Sequence, residues 1–336
     1  MICGDQPIMS EAEFMDIRAF LKNNLDKYTL ALIGTVVLAT VCPVYGRGYD
    51  LTQALSKIVV GLLFFLHGAK LSRQNLWLGL THWRLHLLIM GATFVMFPLL
   101  GLMLGPVLKP MLNPDLYAGL LFICVLPSTV QSSIAFTSIA RGNVAAAICA
   151  ASFSSLLGII LSPLLSGLVL GSGYGGISAQ AVTDLCLQLL LPFTLGQLLR
   201  GRLISFLDRR KSLIGYVDRL SILFIVYVSF SHGTNTGLWH SLNLGLFLRL
   251  VLACGILLVL ALLLTHLAGR LFGFNRPDRI AILFCGSKKS LVSGVPMANV
   301  IFPAALASTI ILPLMVFHQM QLMACAWIAR RLSLSD

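Results

Sequence analysis

From residue 28 onward the chain alternates between long apolar runs and short polar breaks. The runs are unbroken and about 20 residues long, the length that carries an α-helix across a bilayer's hydrocarbon layer. They lack the residue-by-residue alternation of a membrane barrel strand. Ten helical spans are predicted, over 28–45, 53–70, 84–105, 116–138, 143–170, 181–200, 214–232, 243–268, 279–301 and 303–328. Prolines interrupt several of them: Pro98 in the third, Pro127 in the fourth and Pro163 in the fifth. A glycine-rich loop, Gly171 to Gly176, separates two sets of five spans.

Composition agrees with the pattern. Of 336 residues, 57% are hydrophobic and 11% charged, against about 25% charged in a soluble domain. The expected fold is therefore an all-α, multispanning membrane protein of a bacterial inner membrane, with the lipid bilayer as its partner. The net charge of +12 does not point to nucleic acid, because the basic residues lie between the spans. With ten spans, eighteen of the 24 Lys and Arg residues fall on the side that holds both termini. The opposite side holds only Arg47 and Lys109, and Lys57, Arg249, Lys288 and Lys289 fall within spans. The positive-inside rule then places both termini in the cytoplasm. The first 27 residues lack the basic start and cleavage site of a signal peptide. Phe14, Ile17, Phe20 and Leu21 have the spacing of an amphipathic helix lying on the inner surface. The predicted organisation is a cytoplasmic segment over 1–27, a five-helix repeat over 28–170 and a linker over 171–180. A second five-helix repeat follows over 181–329, with a cytoplasmic tail over 330–336.

The two halves resemble each other. Phe65-Leu-His-Gly68 matches Phe230-Ser-His-Gly233, and the same offset carries Arg84 to Arg249. Gln131-Ser-Ser-Ile134 lines up with Lys288-Lys-Ser-Leu291. Five spans per half is an odd number, so equivalent spans run in opposite directions. That is the inverted repeat expected of a secondary transporter.

The chain's chemistry concentrates in the ninth span. Lys288 and Lys289 interrupt an apolar run, and a charge at membrane depth costs about 2.5–3.5 kcal/mol on insertion scales. Gly286, Ser287, Ser290, Ser293, Gly294 and Pro296 crowd around them. This composition suits a helix that breaks at mid-membrane, where freed carbonyls and helix ends hold a solute. The repeat-related stretch Pro127-Ser-Thr-Val-Gln-Ser-Ser133 has the same character. All twelve Asp and Glu residues lie near span ends or in loops, which argues against an intramembrane acid relay or aspartyl protease. His67 and His232 occupy span ends and suit packing there, with proton exchange as the sharper alternative. His82 and His86 are spaced i, i+4 but lack a third metal ligand nearby. Lys57 opens the second predicted span and is expected to snorkel. Ser152, Ser154 and Ser155 follow the break in the fourth span and either bond their own helices or face a ligand. The eight cysteines are scattered through apolar runs and read as free thiols. No phosphate-binding loop occurs and no nucleophile has a paired base, so the chain reads as neither a motor nor an enzyme.

Five stretches carry a family likeness: Phe64-Phe-Leu-His-Gly-Ala-Lys-Leu71, Trp83-Arg-Leu-His86, Leu126-Pro-Ser-Thr-Val-Gln-Ser-Ser133, Ala140-Arg-Gly-Asn-Val-Ala145 and Lys288-Lys-Ser290. On these the chain resembles the bile acid:sodium symporter superfamily, in its sodium-bile-acid-cotransporter-like branch. The resemblance covers nearly the whole chain. It implies ten spans in a panel and a core, with spans 4 and 9 unwound and crossing and sodium bound behind the crossing. The family's sodium-binding pair then falls at Ser132 and Ser133, its fifth-span hydroxyls near Ser152 and Ser155, and its third-span ligand at Thr93. Its Glu-x-Gly-x-Gln motif aligns with Phe284-Cys-Gly-Ser-Lys288, where the chain departs from the pattern. Phe284 stands for the acid and Lys288 for the glutamine.

The combined reading is a secondary active transporter that moves a small anionic solute, organic or inorganic, by alternating access. Lys288 and Lys289 would bind the anion or stand where sodium sits, with Lys288 as the first choice for that replacement. Gln131, Ser132, Ser133, Ser287 and Ser290 would supply hydrogen bonds. One alternative is an ordinary sodium-coupled organic-anion symporter; another is a membrane regulator that transports nothing. A reporter domain fused after Asp336 is expected to be active in the cytoplasm. Periplasmic activity of that fusion would refute the ten-span topology.

Overall fold

The computed structural model describes residues 27–70, 82–171 and 186–334. The expected N-terminal amphipathic helix, the linker beyond residue 171 and the start of the sixth predicted span lie outside the described residues. Among the described residues all regular structure is helical. The helices are α1 (Lys27–Val41), α2 (Gly46–Lys70), α3 (Trp83–Met103), α4 (Pro114–Val125), α5 (Gln131–Ile139) and α6 (Val144–Leu170). After them come α7 (Leu191–Arg209), α8 (Lys211–Asn235), α9 (Leu244–Leu271), α10 (Arg276–Gly286), α11 (Leu291–Ile301) and α12 (Ala304–Leu334). Six helical stretches among the described residues are long and apolar enough to cross a membrane: α2, α3, α6, α8 from Ser212, α9 and α12.

The surface of α9 shows what surrounds them. Leu250, Ala253, Cys254, Leu257, Leu258, Ala261 and Thr265 face inward at helical spacing. Leu248, Leu252, Val259, Leu263 and Leu267 face outward and are exposed. A helix apolar on both faces belongs in a membrane rather than in water. The protein is a multi-pass membrane protein.

The helices pack in two groups. α1, α2, α7 and α8 pack on one another, with α7 laid along α2. α3 to α6 and α9 to α12 form the other group, and α8 bridges to α11 and α12. The contact between α2 and α7 rests on reciprocal glycines. A Cβ on Gly68 would lie 2.1 Å from the Phe193 carbonyl oxygen, and one on Gly196 would lie 2.1 Å from that of Phe65. Lipid tails are as apolar as leucine, so helices in a bilayer associate through close packing of small residues. At the cytoplasm-facing end of the predicted topology, Lys70 of α2 forms an ion pair with Asp218 of α8.

One expectation about α2 is corrected. The helix begins at Gly46, so Lys57 does not open it but lies near the middle of its 25 residues. The polar start Gly46-Arg-Gly-Tyr-Asp50 had hidden the true beginning, because hydropathy sees only the apolar part. Gly196→Ala is expected to lower stability by about 1–3 kcal/mol through overpacking, read as a fall in the thermal midpoint of the purified protein. An unchanged midpoint would mean that the α2–α7 contact yields.

Candidate functional site

Two chain breaks meet in the second group of helices. α4 ends at Val125 because Leu126 precedes a proline, which disfavours helical backbone, and Leu126 is extended (φ −73°, ψ 155°). Pro127 then offers no N–H, and α5 starts again at Gln131. α10 stops at Gly286 and α11 begins at Leu291, capped by the Ser290 hydroxyl, which accepts from the Ser293 N–H at 3.1 Å. A helix C-terminus leaves its last carbonyls without intrahelical donors, and at membrane depth each must find another partner.

Each freed carbonyl from Cys124 to Pro127 has one. The Ser162 hydroxyl donates to Val125 at 2.7 Å, and the Ser290 N–H donates to Pro127 at 2.9 Å. The Lys289 ammonium donates to Cys124 and to Leu126, each at 2.8 Å. Its third bond, also 2.8 Å, goes to the Thr93 carbonyl on α3. That carbonyl is free for a local reason. Residues Ala92–Met96 form a π turn, in which the Phe97 N–H bonds Ala92 rather than Thr93. The next residue, Pro98, has no N–H to give. Lys289 therefore spends its three N–H donors on three carbonyls from two helix interruptions, with the Phe97 ring 4.1 Å away. The negative end of the α4 dipole favours a cation there as well.

Gln321 of α12 holds the backbone of the same residue. Its side-chain oxygen accepts from the Lys289 N–H at 2.9 Å, and its amide donates to the Lys289 carbonyl at 2.8 Å. His318 sits one turn away, 2.9 Å from the Gln321 amide. Neither residue was singled out from sequence. Two polar side chains at i, i+3 on one face of an otherwise apolar helix was the available signal.

Lys288 differs from its neighbour. It is fully buried, its ammonium has no hydrogen-bond partner among the described residues, and the Phe136 ring lies 4.0 Å away. Among the described residues no carboxylate pairs with either lysine, and the ion pair there is Lys70–Asp218.

The structure brings some of the expected residues together and not others. Ser133 donates to the Phe284 carbonyl at 3.2 Å and shares a hydrogen bond of 3.0 Å with Thr129. Ser132 donates to the same Thr129 hydroxyl. Gln131 is exposed at the start of α5. Ser287 turns back onto its own helix, donating to Leu283 at 2.6 Å. Thr93 contributes its carbonyl, while its hydroxyl donates to Ile89. On α6 it is Ser154, not Ser152 or Ser155, that reaches a break, accepting from the Ser128 N–H at 3.0 Å. Ser128 in turn donates to the Cys285 carbonyl at 2.7 Å. Among the described residues no three His, Cys, Asp or Glu side chains gather as a metal site.

Gln321→Leu would strand the Lys289 N–H and carbonyl, at about 1–3 kcal/mol for each group. The expected outcome is a thermal midpoint several degrees lower, and a neutral result would show that water replaces the amide.

Comparisons with known proteins show which family the chain belongs to. Protein PA2026 of Pseudomonas aeruginosa is 54% identical over 307 residues, covering 91% of this chain and 92% of that protein. YfeH of Escherichia coli, proposed by its name to be a symporter, is 48% identical over 307 residues with the same coverage. Sodium/bile acid cotransporter 7 of Danio rerio is 32% identical over 272 residues, 80% of this chain and 81% of its own. The profile of the SBF-like CPA transporter family matches residues 26–334. The chain belongs to the SBF-like CPA transporter family.

Proposed function

We propose that this transporter has ten spans in an inverted repeat and carries a small anionic solute by alternating access, with Lys289 doing the work of a bound cation. The observation behind the proposal is the set of three carbonyl oxygens, each 2.8 Å from one ammonium. Carbonyl oxygens at a broken helix are the ligands that a coupling ion takes in secondary transporters. In this chain a covalently attached charge already satisfies them, so a sodium ion does not fit there. The remaining hydroxyls, Ser132, Ser133 and Thr129, bond one another and a carbonyl, with no carboxylate beside them.

Two further features support the mechanism. The breaks fall in the fourth and ninth predicted spans, the related positions of the two halves. Ser128, Ser154, Ser162 and Ser290 tie both breaks and α6 into one unit. That unit can move as a body against α1, α2, α7 and α8, which form their own packed group. The names of relatives such as sodium/bile acid cotransporter 7 pair a solute with sodium; here Lys289 would take the ion's place in the crossing.

The test is ion dependence. Replacing sodium by choline at constant ionic strength is expected to leave the native thermal midpoint unchanged. Lys289→Ala empties the carbonyl set and is expected to gain stabilisation by sodium. A native protein stabilised by sodium over choline would overturn the proposal in favour of an ordinary sodium-coupled symporter. Absence of flux for any small anion in proteoliposomes would favour the non-transporting regulator.

A further inference from the structure

Lys57 has a different setting from the lysines of the crossing. Lys70 ends α2 in its ion pair with Asp218. The thirteen residues from Lys57 to Lys70 span about 20 Å at 1.5 Å per residue, less than the roughly 30 Å of the hydrocarbon layer. Lys57 therefore sits within the apolar part of α2, and among the described residues it has no ion pair. An ionisable residue at such a depth marks a solute path unless a partner explains it.

The surroundings of Lys57 give it something to do. It lines a cavity of about 190 Å³ between the two helix groups. Gln53 and Ser56 of α2, Gln188 before α7, Ser229 of α8 and Asn299 of α11 line the same cavity. Ser229 and Asn299 are hydrogen-bonded to each other at 2.8 Å, so α8 and α11 meet there. Among the described residues, the lining offers one cation and several amide and hydroxyl donors. Those are the groups that make charge-assisted hydrogen bonds to a carboxylate or phosphate. A cationic solute would meet Lys57 as a like charge.

The volume limits what fits. An engineered cavity of about 150 Å³ takes benzene, so a space of about 190 Å³ holds about eight non-hydrogen atoms. Drug-sized ligands occupy about 300–1,000 Å³, so the charged end of a larger molecule fits inside and a whole steroid does not.

We propose that this cavity binds the carboxylate or phosphate of a molecule or headgroup, with about eight non-hydrogen atoms inside it, held by the Lys57 ammonium. Its place in a transport cycle rests on the proposed function: Asn299 lies on α11, the helix that continues directly from the Lys289 break. Binding itself does not depend on that reading.

The test uses the full chain in phosphatidylcholine nanodiscs, with acetate, pyruvate, inorganic phosphate and cholate added at constant ionic strength. At ten times its dissociation constant, pyruvate or phosphate is expected to raise the thermal midpoint by about 2–4 °C. Lys57→Arg should keep the shift and Lys57→Gln should lose it. A Lys57-dependent rise on adding phosphatidylglycerol, with no response to the soluble anions, would support the anion site and assign it to a lipid headgroup. No Lys57-dependent shift with any probe would overturn the proposal. If the shift stands while proteoliposome flux fails, the binding site survives and the transport reading does not.

Discussion

An ammonium ion at membrane depth must find acceptors, and backbone carbonyls at membrane depth must find donors. The contact between Lys289 and the carbonyls of Thr93, Cys124 and Leu126 meets both needs at once. Neither side is stable alone. A π turn in α3 and a broken α4 would leave orphan acceptors in an apolar interior, and a lysine in a straight helix would leave three orphan donors. The irregular backbone is thus a condition for burying the lysine, and the lysine is a condition for the irregular backbone. Gln321 extends the arrangement by pinning the Lys289 main chain, so that the side chain leaves from a fixed point.

The sequence pattern carried much of this and missed the rest for identifiable reasons. Apolar periodicity located the helices, because membrane helices need long unbroken runs. Proline and the small polar residues located both breaks. The pattern placed the start of α2 too late, since helical hydrogen bonding continues through the polar Arg47, Tyr49 and Asp50. The family resemblance pointed to Lys288 as the ammonium that replaces an ion, while in the structure Lys289 reaches the three carbonyls. One residue of offset in extended chain reverses the direction of a side chain, and no motif records which of two adjacent lysines points inward. The acceptors were invisible for a deeper reason. Main-chain oxygens carry no side-chain identity, and the freedom of the Thr93 carbonyl depends on Pro98, five residues away.

The two lysines divide by what they touch. Lys289 is fully used: three hydrogen bonds exhaust its donors. Lys288 keeps its donors, with Phe136 as its neighbour on α5. A ring face stabilises a desolvated cation by about 2 kcal/mol, less than a set of hydrogen bonds would. Lys289 therefore reads as fixed structure, and Lys288 as the group with interactions still to make in another conformation.

Charge balance then bears on what the transporter can carry. Three carbonyls stabilise the Lys289 ammonium without neutralising it, so the crossing retains that lysine's charge. On the transport reading, a unit that carries charge through the membrane field works against about 2.3 kcal/mol per charge per 100 mV. A second cation bound beside Lys289 would increase that work and meet its repulsion. An anion travelling with the unit would reduce both. The cavity at Lys57, lined by donors and with no carboxylate among its described lining residues, would favour the same sign of solute. On the transport reading, two places in the fold with separate origins would favour an anion, one through the charge of the moving unit and the other through the groups that would hold the solute.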